Sequence, residues 1–111
     1  MIKKKVLLQL AILQSVFCFA TQSVVAEEHM TTQKNKEFNV DHLKIKVGDT
    51  VHFKNEDSFF HNVFSLSDEK MFDLGSYPQG QSKSVVFDVP GKIEVECAIH
   101  PNMMLTIDVE P

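Results

Sequence analysis

The 111-residue chain contains no arginine, and its basic residues are all lysines. Lys3, Lys4 and Lys5 precede an apolar run from Val6 to Ala20, and small residues follow it. That layout predicts a secretory signal peptide over 1–26, cleaved after Ala26 or, alternatively, after Ala20. The run is short for a bilayer span, which needs about 20 apolar residues, so no stable membrane segment is expected after cleavage. Cleavage after Ala26 leaves eight lysines against 15 acids, a net charge of −7. Neither this sign nor the missing arginine suits nucleic-acid binding. An acidic surface favours solubility and a partner with a basic patch.

Cysteine is nearly as scarce. The chain has Cys18 and Cys97, and Cys18 departs with the leader. The remaining 85 residues then hold one thiol and no internal disulfide. A small domain has a thin core and gains from a staple. A lone thiol in an oxidising compartment needs protection, which a bound metal supplies.

No segment carries a helical period, and no internal repeat or low-complexity tract occurs. Period two is present instead. Leu43, Ile45 and Val47 alternate with Lys44 and Lys46, and Val51 and Phe53 with His52 and Lys54. Phe60 to Leu66 and Ser84 to Val89 read as further strands. Ile93, Val95 and Cys97 share one face, as do Leu105, Ile107 and Val109. Gly48-Asp49, Asn55-Glu56-Asp57-Ser58 and Pro90-Gly91 mark turns. Glu27 to Glu37 is unpatterned and reads as a flexible N-terminal arm over 27–37, leaving 38–111 as the domain. Ser67 to Gln81 reads as a long loop with an irregular turn near Met71 to Leu74. Phe59, Phe60, Phe64 and Phe72 are assigned to the core, and His42 and His52 to solvent without a role. The pattern implies an all-β antiparallel sandwich or barrel.

The chemistry concentrates in Cys97-Ala98-Ile99-His100-Pro101-Asn102-Met103, which brings thiolate, imidazole and thioether into one loop. One cysteine, two imidazoles and a weak thioether make the donor set of a blue-copper site. His61, just after a turn and beside Asn62, is the candidate second imidazole. With Val47-Gly48-Asp49-Thr50-Val51, His61-Asn62-Val63, Pro90-Gly91 and Cys97-x2-His100-Pro101-x-Met103, the chain resembles the cupredoxins. It is most similar to the amicyanin and plastocyanin branch, including small cupredoxins associated with methylamine utilisation. The resemblance spans about Phe38 to Val109. It implies a Greek-key β-sandwich, one type 1 copper ion on His61, Cys97, His100 and Met103, and one-electron transfer without substrate chemistry. It also implies redox partners docking near His100, on an apolar collar of Ile99, Pro101 and Met104. Met104 itself is expected at the core or loop surface, not as the axial ligand. A monomer is expected.

Four finer expectations follow. The Asn62 amide is expected to tie the His61 strand to the Cys97 loop. Ile99 stands where amicyanins carry proline, and its N–H is expected to donate to the Cys97 sulfur. A mature terminus at Glu27-Glu28-His29 offers an amine, two backbone nitrogens and an imidazole for a second Cu(II). The rival to an electron carrier is a copper carrier or storage protein with the same donors. A copper enzyme needs an open metal site that the scattered spare histidines do not provide.

Overall fold

The computed structural model describes residues 25–111, so the expected signal peptide lies outside the described residues except for Val25 and Ala26. Nine strands follow one another: β1 Glu28–Lys34, β2 Glu37–Phe38, β3 His42–Lys46, β4 Thr50–Asn55, β5 His61–Ser67, β6 Lys70–Tyr77, β7 Ser82–Val86, β8 Gly91–Cys97 and β9 Met104–Glu110. They form a four-stranded sheet in the order β2-β1-β4-β7 and a five-stranded sheet in the order β3-β9-β8-β5-β6. The two sheets face each other as an all-β Greek-key sandwich, and no helix occurs among the described residues. Two pairs, β1 with β4 and β3 with β9, run parallel. Each joins strands distant in sequence, as parallel neighbours require.

Period two sends alternate side chains to the shared interior. Val51 and Phe53 on β4 and Val85 on β7 meet Ile93, Val95 and Cys97 on β8 and Leu105, Ile107 and Val109 on β9. All of these are buried, as the alternation predicts.

Four expectations need correction. The supposed N-terminal arm is β1, an inner strand hydrogen-bonded between β2 and β4. Its inward residues, Thr31 and Gln33, are polar, so the strand carries no apolar alternation. The supposed loop from Ser67 to Gln81 is mostly β6, an edge strand paired along β5 with a register shift between Asn62 and Phe64. Gly75, at φ +68, and Pro78 disguised it. Of the four phenylalanines assigned to the core, Phe72 packs against it, but Phe59 and Phe60 are exposed. His42 is exposed as expected, whereas His52 is half-buried and reaches Glu28 at 3.2 Å.

β4 starts at one pole and ends at the other, a span of about 17–20 Å for six residues. At its start, Gly48 takes φ +95 in a turn closed by the Asp49 N–H on the Lys46 carbonyl at 3.0 Å. The Asp49 carboxylate accepts from the backbone N–H of Lys46 (3.0 Å) and of Glu27 (2.9 Å), and lies 2.9 Å from His29 Nε2. These bonds pin the start of β1 to the β3–β4 turn. They also engage both the Glu27 nitrogen and the His29 ring, the groups a second copper at the terminus would need.

The Lys46 and Glu27 N–H groups, with His29, hold the Asp49 carboxyl down to about 2. The folded-state value is depressed, so its stabilisation is complete above about pH 5 and is lost as pH falls towards 2. Asp49→Asn is expected to lower unfolding stability at pH 7 by about 1–2 kcal/mol. Urea midpoints of the two proteins should converge between pH 5 and pH 3. A gap of constant size over that range would refute the assignment.

Candidate metal centre

The opposite pole gathers the candidate donors. Cys97 ends β8, His61 begins β5, and the two strands pair through Val63 and Cys97. Just past Cys97 the chain bends, and the Ala98 N–H donates to the Asn62 carbonyl at 2.9 Å. The Met103 N–H donates to the His100 carbonyl at 3.0 Å and closes the loop before β9. The expected tie between strand and loop is therefore made by the Asn62 backbone. Its side-chain Oδ1 is buried without a partner.

Cys97 Sγ lies 3.5 Å from His61 Nδ1 and 3.8 Å from His100 Nδ1, and the two rings are 4.9 Å apart. Nitrogen and sulfur donors about 2.0 and 2.3 Å from one ion, spread trigonally, sit roughly 3.7 Å apart. The three side chains thus already hold the separations of a shared ion, and all their donor atoms lie within 4.8 Å of one another. Met103 is 1% exposed and Met104 48%, so the inward thioether is the one expected. The Ile99 N–H does not reach Cys97 Sγ; the nitrogens facing the sulfur are the Nδ1 atoms of the two imidazoles. The bend that commits the Ala98 N–H to Asn62 sets the course of this segment.

Sequence reasoning missed the residues that hold His61. Asp57 Oδ2 lies 2.6 Å from His61 Nε2, with both side chains buried. A carboxylate only accepts, so Nε2 carries the proton and the Nδ1 lone pair faces Cys97. Burial works against the Asp57 charge. The bonds from His61 and from the N–H groups of Lys36 and Asn35 outweigh it and hold the carboxyl below its ordinary value. Asn55, fully buried, donates from Nδ2 to the Phe59 carbonyl (2.8 Å) and the Tyr77 carbonyl (3.0 Å), and accepts the Asp57 N–H (2.8 Å). The sequence carried no signal for Asn55 or Asp57, because both sit in a polar turn segment. Phe59 stands 5.3 Å from both imidazoles and covers their outer edge. Tyr77 pairs with His61 across β5–β6, and burial pushes its hydroxyl up to about 12, so it stays neutral. Burial, then His61 and Lys36, lower His100 below the ordinary histidine value.

Residues 25–110 match the model of the copper-binding proteins of the plastocyanin/azurin family. The chain belongs to that family. The family binds copper, the cofactor is copper, and His61, Cys97 and His100 gather the donors for it. Among curated proteins it is similar to the methylamine utilization protein MauL of Methylorubrum extorquens, at 32% identity over 76% of this chain and 75% of that one. Among solved structures it is similar to an oxidised amicyanin variant, with TM-score 0.69, 26% identity, and coverage of 75% of this chain and 82% of that one. A copper-containing nitrite reductase from Thermus scotoductus gives TM-score 0.70 at 26% identity over 76% of this chain, but the chain spans only 22% of that enzyme.

Asn55→Ala leaves two carbonyls and one N–H without their partner. It is expected to cost the metal-free protein about 3 kcal/mol or more, read as a lowered urea midpoint. Copper affinity should fall with it, because the 55–61 loop carries both Asp57 and His61.

Proposed function

We propose that this chain is an exported carrier of single electrons, with its redox partners docking around His100. The carrying observation is the pre-set cluster of His61, Cys97 and His100, with Met103 buried at the close of the same loop. Copper in such a donor set exchanges one electron between Cu(II) and Cu(I). The protein supplies what makes that exchange fast. Cys97 gives a thiolate anchored at the end of a core strand. His61 is fixed by Asp57, and Met103 would offer the ion a weak thioether donor. Donors held in place on a rigid sandwich need move little between the two oxidation states. All four candidate donors are taken up by one ion, with no coordination position kept for a substrate, which favours a carrier over an enzyme.

The surface around the site supports docking. His100 is only partly buried, and its loop neighbour Ile99, like Met104 at the start of β9, is about half exposed. With exposed Pro101 these side chains offer the apolar surface that a partner would cover. Export rests on the lysine-led apolar leader. Cleavage after Ala26 would place the new α-ammonium on the Glu27 nitrogen, 2.9 Å from buried Asp49. That pairing favours Ala26 over Ala20 as the cleavage point.

Copper-loaded protein is expected to show an intense thiolate-to-copper absorption band at roughly 600 nm, together with a reversible one-electron wave. Cys97→Ser should abolish the band, and Met103→Leu should keep it while raising the reduction potential. Ready transfer of the copper to a chelating acceptor, with no reversible wave, would instead establish a copper-delivery protein.

A further inference from the structure

The β1–β2 hairpin turns through Asn35 and Lys36, both at positive φ (55° and 59°). This left-handed pair points two successive N–H groups at one carboxylate. Asn35 N–H meets Asp57 Oδ1 at 2.6 Å, and Lys36 N–H meets Oδ2 at 3.1 Å. Oδ2 is the same oxygen that accepts from His61 Nε2 at 2.6 Å. The turn and the ligand therefore draw on one buried charge. The turn belongs to the four-stranded sheet, whereas His61 and Cys97 lie on the other. Its residues also line a hollow of about 330 Å³ with Ile99, His100, Pro101 and Asn102.

We infer that the Asn35–Lys36 turn is a positioning element that sets the reduction potential of the copper site through Asp57. The inference rests on the electron-carrier reading. Each N–H that the turn gives Asp57 withdraws charge from the carboxylate. A less charged acceptor pulls less on the His61 proton and leaves the imidazole a weaker donor at Nδ1. A weaker donor favours Cu(I). The turn therefore holds the potential above the value that Asp57 and His61 would set alone. Lys36 adds a separate through-space effect: its ammonium sits 5.8 Å from the centroid of the Phe59 ring, exposed to solvent and screened by salt.

Three variants separate these contributions. An ester in place of the Asn35–Lys36 peptide bond removes the Lys36 N–H while keeping every side chain, with a weaker Asn35 carbonyl acceptor as its other change. It should lower the potential. Asp57→Asn should raise it, changing the Cu(I) to Cu(II) ratio at fixed potential by roughly tenfold. Lys36→Gln keeps the N–H, and its shift should vanish at high salt while the ester's persists. In metal-free protein, the His61 Nε2 proton resonance should move downfield in the ester and upfield in Asp57→Asn. Opposite signs distinguish charge sharing from simple loosening of the loop, which moves both variants the same way. An ester with unchanged potential and unchanged proton resonance overturns the inference, as does a Lys36→Gln shift equal to the ester's at high salt. If wild-type copper protein shows no visible band, the carrier reading fails, and the proton resonances of the metal-free variants still decide the role of the turn.

Discussion

At the end of β4 the chain must leave one sheet and deliver a histidine to the other within six residues. Asn55 makes that passage possible. Its carboxamide is fully buried and makes three hydrogen bonds, two to carbonyls of Phe59 and Tyr77 and one from the Asp57 N–H. A buried amide paired this completely adds little net stability per bond, but its loss leaves several groups unsatisfied at once. The loop therefore has one shape. That shape puts the Asp57 carboxylate under the His61 ring, and the carboxylate fixes which ring nitrogen faces Cys97. The donor geometry descends from a polar network in the loop as much as from the apolar core beneath it.

Much of this was legible in the sequence, and the exceptions share a cause. Strands with one face on the core announce themselves, because Ile93, Val95 and Cys97 must be apolar where Glu94 and Glu96 need not be. β1 turns Thr31 and Gln33 inward, so its burial leaves no apolar trace. β6 lies at a sheet edge and carries Met71, Phe72 and Leu74 in quick succession, which reads as neither period. The metal donors were visible because thiolate, imidazole and thioether are rare and their spacing is short. Asp57 was not, since an acid in Asn-Glu-Asp-Ser looks the same whether it faces water or a buried ring. The exposed Phe59 and Phe60 erred in the opposite direction: bulk predicts burial, while a metal site near the surface needs an apolar rim.

The two poles have different work. At the Asp49 pole the carboxylate joins backbone N–H groups of β1 and of the β3–β4 turn, and its chemistry is structural. At the Cys97 pole the Asp57 carboxylate does the same for the β1–β2 turn, then goes further and accepts from a metal ligand. β1 links both arrangements, anchored near its start by Asp49 and at its hairpin by Asp57. An inner strand held at each end is a stiff support, which explains how a polar segment without apolar alternation stays in the sheet.

Stiffness also bears on which function the site serves. A delivery protein must release its ion, so at least one donor has to swing away at modest cost. Here His61 is buried, bonded to a charged acceptor and covered by Phe59, and Cys97 is fixed within a core strand. Met103 is buried and its N–H is tied to the His100 carbonyl. Only the His100 ring has partial access to solvent. Releasing an ion from this arrangement means breaking the loop closure or the Asn55 network, and both belong to the fold itself. Passing an electron requires none of that motion. An arrangement that resists exchange and needs little movement to change charge fits electron transfer better than metal transfer.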